Sequence, residues 1–201
     1  MDSVERDPWL ERWLPLLVAR CAGGPVLELG CGAGRDSRVL AGAGLRVVGV
    51  DRSPSELATA RDAVPQATFH LQDLRAAFPV ASPLGVVVAS LCLHYFEWAE
   101  TAAVVGRIRS TLRDGGVLVC RVNSANDHEY GASGHPRIGD GYYLVEGEPK
   151  RFFDRPALDA LFSDGWRALH VEERVIQRYA RPKTVWEAIF ERQSSSPGKR
   201  G

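Results

Sequence analysis

The sequence lacks an excess of either charge. Its 201 residues carry 25 Lys and Arg side chains against 25 Asp and Glu, a formal net charge of zero at pH 7. Proteins that bind nucleic acid usually concentrate positive charge on one face, because contacts with the phosphate backbone supply much of the affinity. The balance predicts a main partner that is not a nucleic acid.

Long apolar runs and paired cysteines are also missing. No apolar stretch approaches the roughly 18 to 20 residues that a helix needs to cross a bilayer, and the start MDSVERDPWLERW lacks the layout of a secretion signal. The cysteines stand far apart, without a CxxC pair, at Cys21, Cys31, Cys92 and Cys120. This spacing favours reduced, buried thiols and disfavours a zinc site. We therefore expect a cytoplasmic protein with no membrane partner and no metal.

The composition is that of an ordinary globular protein, with 45% hydrophobic and 25% charged residues. The length suits one domain, predicted over 1–193. An amphipathic helix within 1–22 opens the domain, because apolar residues recur at helical spacing from Trp9 to Cys21. The final segment 194–201, SSSPGKRG, is predicted to be a disordered tail.

Short apolar runs alternate with helical patterns along the chain. The runs VLELG, LRVVGVD, ATFHLQD, LGVVVASLCL and GGVLVCRV read as buried strands. Helices are predicted between them, one capped by Ser53 with Glu56 and one over 97–112 that ends at Asp114-Gly115-Gly116. Another helix begins after Asp154, and two strands follow near 166–176 and 184–190. This order predicts an α/β protein with a doubly wound, mostly parallel sheet.

The first strand ends in a glycine-rich turn, where ligands bind in open parallel sheets. Gly30, Gly32 and Gly34 permit a tight turn and let a ligand touch bare backbone. The G-x-G-x-x-G fingerprint of nicotinamide enzymes would need glycine at position 35, which is Arg35. A nicotinamide-dependent oxidoreductase is the first alternative interpretation, and the misplaced third glycine counts against it.

Carboxylates end the next two strands. Asp51 ends LRVVGVD and can accept hydrogen bonds from both hydroxyls of a ribose. Asp73 ends the third strand and can accept the amino hydrogen of adenine, while the Leu74 N–H meets the ring. Each aspartate could instead be a turn or cap residue. Three such features on successive strands predict an adenosine ligand.

The motifs VLELGCGAGRDS, VVGVD and LQDL resemble those of class I S-adenosylmethionine-dependent methyltransferases over about residues 25–122. GCGAGRDS is also similar to the first motif of the tellurite-resistance and thiopurine methyltransferases. The resemblance implies a Rossmann-like three-layer sandwich with a seven-stranded sheet, whose antiparallel last strand lies near 184–190. It also implies that S-adenosylmethionine is bound by Glu28, Gly30, Cys31, Gly32, Gly34, Arg35, Asp51, Arg52, Asp73, Leu74, Ser90 and Leu91. Asp36 fits the same pattern and could reach the cofactor or pair with Arg35.

His94 and Tyr95 follow the fourth strand, beside the expected place of the transferred methyl group. His94 has a suitable ordinary pKa for a catalytic base, or it is a helix-start histidine bonded to backbone. Tyr95 either forms a wall of the catalytic pocket or packs as an ordinary core residue. Methyl transfer itself needs mainly the correct positioning of the nucleophile, so a base helps only acceptors that must lose a proton.

The segment 123–150 is rich in Gly, His, Tyr and Asn and is predicted to be a loop over a small-molecule acceptor. Arg151 could anchor an anionic acceptor or lie on the surface, and the two N-terminal tryptophans could close over the sulfonium or pack the first helix. The candidate acceptor contacts are Trp9, Trp13, Asn123, His128, Tyr130, Tyr142, Tyr143 and Arg151. We expect a monomer or homodimer, and a degenerate binding subunit without catalysis is the second alternative function.

Overall fold

The computed structural model describes residues 8–81, 83–177 and 179–194. Seven of its strands form one sheet in the order β3-β2-β1-β4-β5-β10-β9. These strands are β1 (Val26–Leu29), β2 (Val47–Asp51), β3 (Thr68–Leu71), β4 (Leu84–Ser90), β5 (Leu112–Asn123), β9 (Trp166–Ile176) and β10 (Lys183–Arg192). Strand β10 runs antiparallel to both of its neighbours, β5 and β9. The predicted seven-stranded, doubly wound α/β fold is confirmed, including its antiparallel last strand.

Helices cover both faces of the sheet. The helices are α1 (Leu14–Cys21), α2 (Arg35–Gly42), α3 (Pro54–Ala63), α4 (Trp98–Thr111) and α5 (Arg155–Leu161), with 3-10 turns at Glu11–Trp13 and Leu93–Tyr95. Alternate strand residues face opposite layers: Val26 packs with α1 and α2, whereas Leu27 packs with α4 and α5. The two buried layers hold the sheet edge rigid.

The parallel strands end at one level. Leu29, the last residue of β1, pairs with Val50 of β2 and with Ala89 of β4. Asp51 pairs with Leu71, the last residue of β3. This register brings the loops that follow all four strands to one edge.

The predicted end of the fourth helix is wrong. Helix α4 ends at Thr111, and Leu112 already pairs with Leu84 as part of β5. Burial of the extended Leu112 side chain against the core favours the strand over another helical turn. The predicted cap residues instead lie in a register shift between β4 and β5, where Gly115 has a φ of 71°.

The segment predicted as a loop over 123–150 contains regular structure. Its second half forms a separate antiparallel sheet of β6 (Arg137–Gly139), β7 (Tyr142–Val145) and β8 (Glu148–Arg151). Between β7 and β8, Glu146 and Gly147 both have positive φ, 52° and 83°, as a two-residue type I′ turn requires. The strands are too short to show a clear alternation in sequence, which is why the pattern predicted a loop.

The opening helix is shorter than the sequence pattern predicts. A 3-10 turn precedes α1, and Pro15 occupies the first helical turn, where its missing N–H costs nothing. The first seven residues and most of the predicted tail, 195–201, lie outside the described residues. Within the described ranges, no helix combines the length and apolar character needed to span a membrane.

Candidate functional site

The glycine turn after β1 depends on left-handed backbone at three positions. Gly30, Gly32 and Gly34 have φ values of 65°, 50° and 78°. The N–H of Gly30 donates to the carbonyl of Val50 at 2.8 Å, which ties the turn to β2. A Cβ atom at Gly30 would lie 2.4 Å from Cβ of Cys92, so no side chain fits there. Position 30 is therefore both strained for other residues and sterically closed to them.

Asp51 joins the glycine turn to the start of α3. Its Oδ2 atom accepts the N–H of Gly32 at 2.8 Å, and Oδ1 accepts the N–H of Ser53 at 2.9 Å. Each carboxylate oxygen has two lone pairs, so both retain acceptor capacity. The side chain is half-buried and lines a cavity. It is placed to accept hydrogen bonds from a diol.

Two cavities meet at the glycine turn, and each has a volume of about 290 Å³. The strand-end cavity is lined by Gly30, Asp51, Arg52, Ser53, Gln72, Asp73, Leu74, Arg75, Leu91, Cys92, Tyr95, Phe96 and Glu148. The glycine-turn cavity is lined by Glu28, Gly30, Cys31, Gly32, Ala33, Arg35, Asp36, Glu56 and Ser90. Eleven of the twelve residues predicted to bind the cofactor line one or both of them, and the exception is Gly34. The structure thus brings that predicted set together.

Arg75 holds the far end of the strand-end cavity in place. The Asp73 carboxylate accepts the backbone N–H of Arg75 at 2.7 Å and its Nη1 at 3.0 Å. The same guanidinium donates from Nε to Glu100 at 2.6 Å and lies 4.8 Å from the ring centroid of Phe96. Arg75 was missed in the sequence. Its proximity to Asp73 in the chain was the available signal.

The glycine-turn cavity is acidic. Glu28 and Asp36 are buried in its wall, and Glu56 lies opposite beside Gly32. Ser37 donates its hydroxyl hydrogen to Glu28. Burial, together with the charge of Asp36, raises the pKa of Glu28 to about 8. Glu28 therefore holds its proton at neutral pH, and the other charged side chains of the lining are Arg35, Asp36 and Glu56.

Trp9 and Arg121 support this wall from behind. The indole N–H of Trp9 donates to Asp36 at 3.1 Å, and the Arg121 guanidinium carbon lies 4.2 Å from the Trp9 ring centroid. Arg121 also donates from Nε and Nη2 to the Ser90 hydroxyl, each at 3.1 Å. Arg121 was missed in the sequence, although an arginine near the end of an otherwise apolar strand is a recognisable signal.

His94 and Tyr95 lie together in the 3-10 turn after β4, with ring centroids 4.3 Å apart. His94 is 4% exposed, and its Nδ1 has no hydrogen-bond partner among the described residues. Burial and the charges of Lys183 and Lys150 lower the pKa of His94 to about 3. Tyr95 lines the strand-end cavity, whereas His94 lines neither of the two cavities.

The candidate acceptor contacts are dispersed over the molecule. Trp13 donates to Glu187 at 3.2 Å and packs against His170, beside β9 and β10. His128 is exposed, while Tyr130 exchanges hydrogen bonds with the backbone of Arg181.

Asn123 is buried at the end of β5. Its Nδ2 donates to the carbonyl of Arg151 at 3.4 Å, and Oδ1 has no partner within the described part of the chain. Tyr142, Tyr143 and Arg151 surround a third cavity, which we name the hairpin cavity. The eight residues therefore do not form one pocket.

Metal binding would need a cluster of suitable side chains. Among residues 8–81, 83–177 and 179–194, no group of three or more His, Cys, Asp or Glu residues could hold a metal ion.

Comparison with known proteins places this site in a family context. Residues 26–116 match the family described as a methyltransferase domain. An uncharacterized methyltransferase of Synechocystis sp. is 35% identical over 102 residues, which cover 50% of this chain and 48% of that protein. A trans-aconitate 2-methyltransferase of Delftia acidovorans is 34% identical over 113 residues, covering 54% of this chain and 40% of that protein. The chain thus spans about half the length, or less, of these curated relatives.

A solved structure extends the similarity over nearly the whole chain. The S-adenosylmethionine-dependent methyltransferase of Mesorhizobium loti superposes with a TM-score of 0.68 at 26% identity, covering 89% of this chain and 96% of that one. This superposition supports the fold described above.

Proposed function

We propose that this chain is an S-adenosylmethionine-dependent methyltransferase that transfers a methyl group to a small-molecule acceptor. The match of residues 26–116 to a methyltransferase domain and the similarity to the Mesorhizobium loti enzyme support the proposal. The observation that carries the proposal is the position of Asp51. Its carboxylate holds Gly32 at 2.8 Å and lines the same cavity as Asp73. One cavity thus offers hydrogen-bond acceptors for the hydroxyls of a ribose and for the amino group of an adenine.

The residues present fit the cofactor in shape and in charge. The strand-end cavity takes the adenosine, with Asp51 at the ribose and Asp73 and Leu74 at the adenine. The glycine-turn cavity takes the methionine end, where the carboxylates of Asp36 and Glu56 favour its positive charge. The backbone of Gly32, whose Cβ position meets only Glu56 at 3.5 Å, leaves room for the ligand.

When bound, the cofactor supplies a methyl group on a sulfonium leaving group. The chain's own contribution is to position the acceptor and exclude water, which supplies most of the acceleration for an in-line displacement. A base works best with a pKa near the operating pH, and the pKa of His94 is far below it. We therefore propose that His94 shapes the turn after β4. Tyr95, whose pKa is raised by burial, stays protonated as a wall of the site.

Two similarities narrow the acceptor class. Relatives named for methylating trans-aconitate support a small carboxylate-bearing acceptor. The first motif, GCGAGRDS, is similar to that of tellurite-resistance and thiopurine methyltransferases, which supports a soft or heterocyclic nucleophile. We propose that the acceptor belongs to one of these classes.

The test is product formation. Purified protein is incubated with S-adenosylmethionine and trans-aconitate, a thiopurine or tellurite, and S-adenosylhomocysteine is quantified by chromatography. We expect acceptor-dependent accumulation that Asp51→Ala reduces and Asp62→Ala, an exposed aspartate on α3, leaves unchanged. Cofactor binding without product from any acceptor would favour the degenerate binding subunit, and binding of NAD in its place would favour the oxidoreductase.

We further propose a cytoplasmic location and a monomeric or homodimeric state. All four cysteines are free and buried, which supports a reducing compartment. Light scattering coupled to size-exclusion chromatography measures the oligomeric state directly.

A further inference from the structure

The hairpin cavity is separate from the cofactor site. It has a volume of about 810 Å³ and lies between the sheet of β6–β8, the start of α4, and α5. No residue that lines it also lines the strand-end or the glycine-turn cavity. Five of its lining side chains carry the argument below: Trp98, Ile138, Tyr142, Tyr143 and Arg151.

Arg151 is the distinctive group in this cavity. It is 6% exposed, and its guanidinium carbon lies 4.9 Å from the ring centroid of Tyr142 and 5.5 Å from that of Trp98. Nη1 donates to the carbonyl of Asp140 at 2.8 Å, and Nε donates to the carbonyl of Phe96 at 3.4 Å. Aromatic rings and neutral backbone carbonyls thus form its nearest contacts. Of the three carboxylates in the cavity lining, Asp140 pairs with Arg137, Asp154 caps α5, and Glu97 lies farther from Arg151.

The positive charge of Arg151 has no carboxylate partner. Within the described ranges, no carboxylate oxygen lies within the 4.0 Å of an ion pair with it, and Asp140 and Glu97 act on it only from farther away. A guanidinium has five N–H donors, and the two hydrogen bonds above use two of them. A buried charge without a counter-ion is costly, so an anion bound here would be stabilised by both charge and hydrogen bonds.

The other walls indicate an aromatic body on that anion. Trp98 is 40% exposed and Ile138 is 50% exposed, so apolar surface faces the opening of the cavity. Tyr143 lines the same space and packs edge-on against Phe152. Flat rings stack on such surfaces, whereas a small inorganic anion would leave most of this volume unfilled.

We propose that the hairpin cavity is a second ligand site that binds a small aromatic carboxylate, with the carboxylate on Arg151 and the ring against Trp98 and Tyr143. The proposal goes beyond the proposed function, because this binding does not depend on methyl transfer. Tyr142 donates to the carbonyl of Tyr95 at 3.2 Å, and Arg151 donates to that of Phe96. Since Tyr95 and Phe96 line the strand-end cavity, one stretch of backbone separates the two ligands.

Calorimetric titration of the full chain tests the site with benzoate as the probe and benzamide as its neutral match. Each is titrated with and without saturating S-adenosylhomocysteine. Because hydrogen bonds to a charged group discriminate by about 10- to 100-fold, we expect benzoate to bind at least about tenfold tighter than benzamide in both conditions. Equal binding of the two probes, displacement of benzoate by S-adenosylhomocysteine, or a benzoate Kd above about 10 mM would overturn the proposal.

Two variants locate the probe. Arg151→Gln should lose the preference for benzoate, while Arg155→Gln, which removes an exposed arginine paired with Asp159, should retain it. An unchanged preference in Arg151→Gln would place benzoate elsewhere. If Arg151→Gln fails to fold, the tryptophan fluorescence change on benzoate binding decides: Trp98→Phe should abolish it, and its persistence would contradict the site.

Discussion

Trp9 donates its indole N–H to the Asp36 carboxylate at 3.1 Å, although 27 residues separate them in the chain. Asp36 lines the glycine-turn cavity, while Trp9 lies behind it with its ring over Arg121. Arg121 in turn donates to Ser90, a second residue of the same wall. The segment before α1 therefore positions two sides of the glycine-turn cavity, where we propose that the methionine end of the cofactor binds.

Trp9→Phe should weaken that wall without removing the ring over Arg121. The variant leaves a buried carboxylate oxygen without its donor, which costs about 1–3 kcal/mol. We expect a lower melting temperature and weaker S-adenosylhomocysteine binding, measured by differential scanning fluorimetry and calorimetry. Trp98→Phe, which alters a largely exposed tryptophan, is the control. Equal behaviour of the two variants would show that the Trp9 hydrogen bond does not matter.

Asp51→Ala should weaken cofactor binding by about 1–3 kcal/mol, the worth of hydrogen bonds to a charged group. The variant also frees the N–H groups of Gly32 and Ser53 that the carboxylate accepts. Calorimetry with S-adenosylhomocysteine measures the change, and Asp62→Ala is the matched control. An affinity equal to that of the unmodified protein would refute the assignment of Asp51 to the ribose.

Glu28 should make the protein less stable as the pH rises. Its pKa in the folded protein is about 8, raised from an ordinary 4.5 by burial and by Asp36. Between these values the unfolded chain has released the proton while the folded chain retains it, so rising pH favours unfolding. Glu28→Gln, which can still accept from Ser37, should flatten the fall in melting temperature between pH 4.5 and about 8. An unchanged slope would contradict the raised pKa, and Glu146→Gln, an exposed turn residue, is the control.

His94 should make the protein less stable as the pH falls. Its pKa in the folded protein is about 3, lowered from 6.5 by burial. As the pH falls from 6.5 towards 3, the unfolded chain takes up a proton that the folded chain does not, so stability is lost. His94→Asn should reduce this acid-side loss of melting temperature.

Turnover separates the structural and the catalytic interpretation of His94. A general base contributes about 100-fold or more, so a drop of that size at saturating cofactor in His94→Asn would identify a catalytic group. We expect a smaller change, because a side chain with a pKa of about 3 is a weak base at neutral pH. In that case the profile of kcat against pH shows no ionisation of His94 above pH 5.

The cofactor edge was predictable because each of its signals is local. Glycine at 30, 32 and 34 reports a backbone conformation, and Asp51 and Asp73 report the ends of strands. Parallel strands bring such ends to one edge whatever the rest of the chain does. By contrast, Arg121, Arg75 and the raised pKa of Glu28 depend on which side chains surround them, and that information is spread over the whole fold.

The amino-acid sequence by itself determined the order of strands and helices and the place of the glycine turn, since periodicity and glycine content act over a few residues. Only the tertiary structure decided where the segment 123–151 lies. Its short strands pair with one another and place Arg151 in a cavity apart from the glycine turn. Burial and charge compensation come from contacts between distant parts of the chain, so no local pattern could have separated an acceptor pocket from a second ligand site.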